Sequence, residues 1–186
     1  TGLMLISSAI LLSSAPLAQD ATLSPQPRAS LFDNPSQYSR QLAFGDVNAD
    51  GFADFLVAGG SGVSVVIGSA TDGFSVRQRI PLPADAGSIV VEDFNGDGHL
   101  DAAVSLDRSP VDAVALLLGN GNGDFVVDEA ELTLVGNGVS DAIAARDLNL
   151  DGAVDIVVTN RFDNTISVLL GDGFGGFSSG SDGPFG

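Results

Sequence analysis

A nine-residue pattern, Asp-x-Asn-x-Asp-Gly-x-x-Asp, occurs three times, beginning at Asp46, Asp93 and Asp147. Such a segment fits neither a helix nor a strand. Oxygen-bearing side chains at alternate positions, followed by Gly at position six, dictate a tightly curled loop, because Gly turns there without strain. Each copy lies between two short apolar runs: 42–44 and 55–58, 89–91 and 102–105, 142–145 and 156–159. Those runs have the length and apolar, often β-branched character of strands. A third apolar run follows in each unit (63–68, 113–119, 165–171), ends in Gly, and leads through a tight turn to a Phe.

The spacing decides how the units are organised. Gly68 to Phe74, Gly119 to Phe125 and Gly171 to Phe177 are each six positions apart, whereas successive first Asp residues are 47 and 54 apart. Fixed spacing within units and variable spacing between them marks repeats joined by loops. Three or four short strands per unit of about 40–50 residues predict β-propeller blades rather than a Greek-key sandwich. The expected fold is therefore all-β, with three blades at about 41–81, 87–133 and 140–180, each carrying its acidic loop between its first and second strands. Closed propellers have about four to eight blades. A partial propeller is thus expected, completed by further blades or by self-association. Twenty-two positions separate Phe125 from the next first Asp, while nine residues follow Phe177, so the chain reads as part of a longer protein.

The loops offer a consistent set of hard donors. In the first they are Asp46, Asn48, Asp50, the carbonyl of Phe52, and Asp54. In the second they are Asp93, Asn95, Asp97, the carbonyl of His99, and Asp101; in the third, Asp147, Asn149, Asp151, the carbonyl of Ala153, and Asp155. Calcium takes six to eight oxygens in flexible geometry, with water completing the shell, whereas magnesium demands a stricter octahedron. One Ca²⁺ per loop is expected, three in all. Position twelve is Val57, Val104 or Val158, within apolar β-rich stretches. That excludes an EF-hand, which needs a bidentate Glu there and flanking helices, and excludes a dockerin likewise. Ordinary turn chemistry favours Asp, Asn and Gly as well, but it does not produce five matching positions three times.

Charge points the same way. Twenty-four acidic groups against seven basic ones, all Arg, leave a net charge of −17. Binding a phosphate backbone needs a cationic stripe, so nucleic acid is excluded as a partner, and an anionic membrane surface is disfavoured. There is no Cys, which rules out disulfides, thiolate metal sites, a thiol nucleophile and an acylated-Cys anchor. Residues 3–12 form an apolar run followed by small residues through Ala18, which predicts a signal peptide over 1–18, clipped at its start. The run is too short to span a bilayer comfortably. Residues 19–40 carry Pro25, Pro27 and Pro35 and read as a linker. The mature chain is expected to be secreted or at the cell surface, without membrane insertion.

Catalytic signals are weak. Gly171, Gly173 and Gly176 match G-x-G-x-x-G, but the residues that follow cannot form the helix which that fingerprint needs. His99 is the single His and occupies a loop position that uses its backbone. A non-enzymatic role is expected.

The units resemble FG-GAP repeats, also called VCBS-like repeats, as found in integrin α-subunit propellers and many secreted bacterial proteins. The matching residues are 44–51 (FGDVNADG), 93–98 (DFNGDG) and 147–152 (DLNLDG), with trailing 117–121 (LLGNG) and 169–173 (LLGDG). The resemblance covers about 41–177; the trailing segment of the first unit, 67–74, is looser, and integrin propellers have seven blades. It implies calcium in the loops and a role in adhesion or recognition of an extracellular protein or glycan. Two other roles are consistent with it: an accessory propeller region of a larger secreted enzyme acting on polysaccharide, and a structural spacer.

Overall fold

The computed structural model describes residues 39–60, 62–107, 112–135, 140–162 and 164–180. The stretch read as a signal peptide and residues 19–38 of the linker lie outside the described residues, and the first strand opens at Ser39. Among the described residues there is no helix, and twelve strands form three four-stranded sheets. The first sheet comprises β1 (Ser39–Gly45), β2 (Asp54–Gly59), β3 (Gly62–Ser69) and β4 (Gly73–Pro81). The second comprises β5 (Asp85–Glu92), β6 (Asp101–Asp107), β7 (Ala113–Gly119) and β8 (Phe125–Leu134). The third comprises β9 (Ser140–Arg146), β10 (Asp155–Asn160), β11 (Thr165–Gly171) and β12 (Phe177–Ser179). In each sheet the strands run in chain order and every neighbouring pair is antiparallel. No sheet closes on itself.

The acidic loops join first to second strands, as the spacing predicts. What the apolar pattern does not announce is the fourth strand, which begins at the Phe of each turn or one residue before it. In β4 (GFSVRQRIP) polar and charged residues break the apolar run, and most positions face solvent. An edge strand of this kind carries little hydrophobic signal, and its charges discourage pairing with other chains.

Sheets pack face to face in chain order. Leu56, Ala58, Val63 and Val65 of the first sheet bury against Ala102, Val104, Ala115 and Leu117 of the second. From the opposite face of the second sheet, Ala103, Val114 and Leu116 meet Ile156, Val158 and Leu169 of the third. The middle sheet is thus covered on both sides, so β6 and β7 are buried at nearly every position while β10 and β11 alternate.

Polar joints fix the angle between sheets. The first strands β1, β5 and β9 are neighbours. There the Gln41 side chain accepts the Ser88 hydroxyl and the Ile89 N–H at 3.1 Å, and Ser88 Oγ in turn accepts the Ile143 N–H at 3.1 Å. On the outer side, the Gln78 amide donates to the Phe125 carbonyl and accepts the Phe125 N–H, both at 2.8 Å. Beside it Arg77 grips Asp124 through two hydrogen bonds of 2.9 and 2.8 Å. The guanidinium hydrogen bond holds the Asp124 carboxyl below the usual carboxylate range. A carboxyl lowered in the folded state adds stability that is present above the unfolded value and lost as pH falls through the folded one. Asp124→Asn is therefore expected to remove a small part of the stability that is lost as pH falls through the carboxylate range, most visibly at low salt. Urea midpoints across that range check it.

Candidate metal centre

The three loops share a hydrogen-bond scheme, written by the side chains at positions one, three, five and nine. It differs in one donor to the first-position carboxylate: position five in the first loop, position four in the other two. The first-position carboxylate accepts backbone N–H groups across the curl. Asp46 takes those of Asp50 and Gly51 at 3.1 and 2.8 Å, Asp93 those of Gly96 and Gly98 at 2.8 and 2.9 Å, and Asp147 those of Leu150 and Gly152 at 2.7 and 3.0 Å. The third-position amide oxygen accepts the N–H two residues on, at 3.1 Å for Asn48 and 2.9 Å for Asn95 and Asn149. Its NH₂ donates to the fifth-position carboxylate, at 2.9, 3.1 and 2.8 Å in the three loops. That carboxylate (Asp50, Asp97 or Asp151) accepts the N–H of Phe52, His99 or Ala153 at 2.8 Å. These are Asx turns, which Asp and Asn side chains favour because they mimic a backbone turn.

Gly51, Gly98 and Gly152 hold φ of +86°, +85° and +93°, where a Cβ would be strained. Position four is also left-handed, with φ of 57° at Ala49, 73° at Gly96 and 65° at Leu150. The pattern does not single out that position, although Gly96 carries a trace of it.

Position nine behaves differently. Asp54, Asp101 and Asp155 open the second strand of each sheet and are fully buried. One oxygen accepts the position-two N–H of the same loop: Val47 at 3.0 Å, Phe94 at 3.1 Å and Leu148 at 2.8 Å. The other accepts the N–H of the Gly that ends the third strand: Gly68 and Gly119 at 2.8 Å and Gly171 at 2.9 Å. This carboxylate therefore ties the loop to the far side of the second strand, while a second lone pair on each oxygen remains for other use. It also accounts for the invariant Gly. A Cβ on Gly68, Gly119 or Gly171 would lie 2.3, 2.1 or 2.3 Å from the carbonyl oxygen of Ala53, Leu100 or Val154. Backbone cannot yield by that much. Gly119→Ala is expected to cost about 3 kcal/mol or more, against less than about 1 kcal/mol for Gly98→Asn, whose site is open and left-handed; urea unfolding of the two variants checks it.

The turns also set the electrostatics of two of the exposed carboxylates. The His99 N–H, chiefly, keeps the Asp97 carboxyl low, and the Ala153 N–H does the same for Asp151. Burial pushes Asp101 up; the N–H groups of Gly119 and Phe94 counter this, and the charges of Asp97 and Asp93 add to it. The His99 ring lies over the neighbouring turn, where its Nδ1 stands 2.3 Å from where a Cβ on Gly121 would be. Among the described residues no three His, Cys, Asp or Glu side chains already converge into a metal-holding group. Each loop carries two exposed or half-exposed carboxylates, an amide oxygen and the buried ninth carboxylate, side chains that offer oxygen to a cation. That chemistry fits a hard divalent cation and suits neither zinc nor copper.

The FG-GAP-like repeat matches this chain twice, over residues 46–104 and 93–158, together more than half its length. The chain belongs to the FG-GAP-like repeat family. Each match begins on the first Asp of a loop, at Asp46 and at Asp93. FG-GAP-like membership accounts for the succession of antiparallel sheets as propeller-type repeats. A search of curated proteins gave no match.

Proposed function

We propose that this chain is a calcium-binding, non-catalytic recognition module of propeller type that works outside the cell, its three loops each holding one Ca²⁺. One observation carries the reading: the same all-oxygen donor set, in the same hydrogen-bonded curl, at the same strand junction in all three sheets. Asp46, Asn48, Asp50, the Phe52 carbonyl and Asp54 hold the first ion. Asp93, Asn95, Asp97, the His99 carbonyl and Asp101 hold the second, and Asp147, Asn149, Asp151, the Ala153 carbonyl and Asp155 the third. Bound calcium neutralises carboxylates at the sheet margins of a chain whose net charge is −17, and lets those margins serve as a rigid frame for an extracellular protein or glycan ligand. Extracellular calcium modules work with dissociation constants on the order of 10⁻⁴ to 10⁻³ M.

Calorimetric titration of the chelator-stripped full chain tests this. Three calcium ions per chain are expected, with magnesium binding much more weakly, and Asp46→Ala, Asp93→Ala and Asp147→Ala should each remove one site. A chain that takes up no calcium at millimolar concentration would end the proposal.

A further inference from the structure

The three loops share one internal scheme but not one environment. Position two is apolar in each, yet Val47 and Phe94 are 2% exposed while Leu148 is 48% exposed. Val47 and Phe94 are covered by the sheet that follows their own. Val47 belongs to the core between the first and second sheets, and its carbonyl accepts the Gly123 N–H from the β7–β8 turn at 3.1 Å. Gly123 has φ of +83°, and a Cβ there would meet Ile67 Cδ1 at 2.9 Å and Asn48 Cβ at 3.6 Å. The turn is thus seated against a loop residue that carries a donor oxygen.

The second loop meets the turn of the third sheet at the corresponding place, by packing. The Phe94 ring packs edge-on against Phe177, centroids 5.9 Å apart. A Cβ on Gly96 would stand 3.1 Å from the Gly173 carbonyl oxygen, and one on Gly175 (φ of +91°) 3.6 Å from Asn95 Cβ. In the first sheet the place of Gly123 and Gly175, two residues before the turn Phe, is taken by Asp72. Its N–H is held by Ser69 Oγ within the same turn.

We infer that the first and second loops are joints between sheets, in which Gly123 and Gly175 are positioning residues. This rests on the calcium reading above. Ordering of the first loop by an ion fixes the Val47 carbonyl and Asn48, and so steadies the turn at 120–125. Ordering of the second fixes Phe94 and Asn95, and so steadies the turn at 172–177. The turn at 69–74 receives no contact of this kind among the described residues.

Hydrogen exchange with mass spectrometry on the full chain, with calcium or with EGTA, tests the inference. Calcium is expected to slow exchange about tenfold at 120–125 and several-fold at 172–177, with little change at 69–74. Asp46→Ala should abolish the slowing at 120–125 alone, and Asp93→Ala that at 172–177 alone. Asp147→Ala should leave both turns as in the wild type. Because these loop variants are compared with and without calcium, general destabilisation cancels. Calcium uptake by calorimetry without slowing at either turn would overturn the coupling and leave calcium binding intact, as would a variant that affected both turns equally. No uptake at all would overturn both.

Discussion

Asp101→Ala is expected to lower the stability of this chain by about 3–5 kcal/mol, as read by urea unfolding with calcium chelated. The buried carboxylate accepts the Phe94 and Gly119 N–H groups. Truncation leaves both donors without an acceptor in a site closed to water, at about 1–3 kcal/mol each. It also unties the loop from the strand end that packs against both neighbouring sheets. Total stabilities of such domains are about 5–15 kcal/mol, so the loss is a large share. Asp97→Ala, at an exposed position of the same loop, should cost less than about 1 kcal/mol under the same conditions. Equal losses at the two positions would show that the ninth carboxylate is not the tie described. Chelation matters to the comparison, because with calcium present both variants would also lose a ligand.

That contrast separates what was legible in the residues from what was not. The loops, their Gly at position six and the strand on either side follow from local chemistry: Asx turns, a left-handed bend and β-branched runs. The three-sheet order follows from repeating that unit. The ninth Asp is another matter. Its partner Gly lies 14 to 18 residues away along the chain, and only the antiparallel pairing of second and third strands brings the two together. The Gly that ends each third strand is visible as a regularity, but its cause, a carbonyl oxygen closer than any Cβ can approach, exists only in the folded sheet. The left-handed position four is hidden because Ala49 and Leu150 are not residues that announce a positive φ. The unequal burial of Val47, Phe94 and Leu148 is invisible in three equivalent apolar residues, because it depends on what packs against each loop in the fold.

The largest expected effect concerns calcium itself. A ligand that binds only the folded chain stabilises it by RT ln(1 + [L]/Kd). At about 10 mM calcium and dissociation constants on the order of 10⁻⁴ to 10⁻³ M, each site contributes about 1.4–2.7 kcal/mol. Three sites together contribute about 4–8 kcal/mol, which for a chain of this size corresponds to a rise in Tm of about 10–25 °C. The rise should fall by about one third in each of Asp46→Ala, Asp93→Ala and Asp147→Ala, compared as differences between calcium and chelator. Magnesium at the same concentration should give only a small fraction of it, because it gives up its own water reluctantly.

The most direct measurement is a pair of melting curves on the same full-length sample, one in 10 mM calcium and one in EGTA, at matched ionic strength. The three repeated oxygen loops predict a rise in Tm of about 10 °C or more with calcium. Superimposable curves would contradict them.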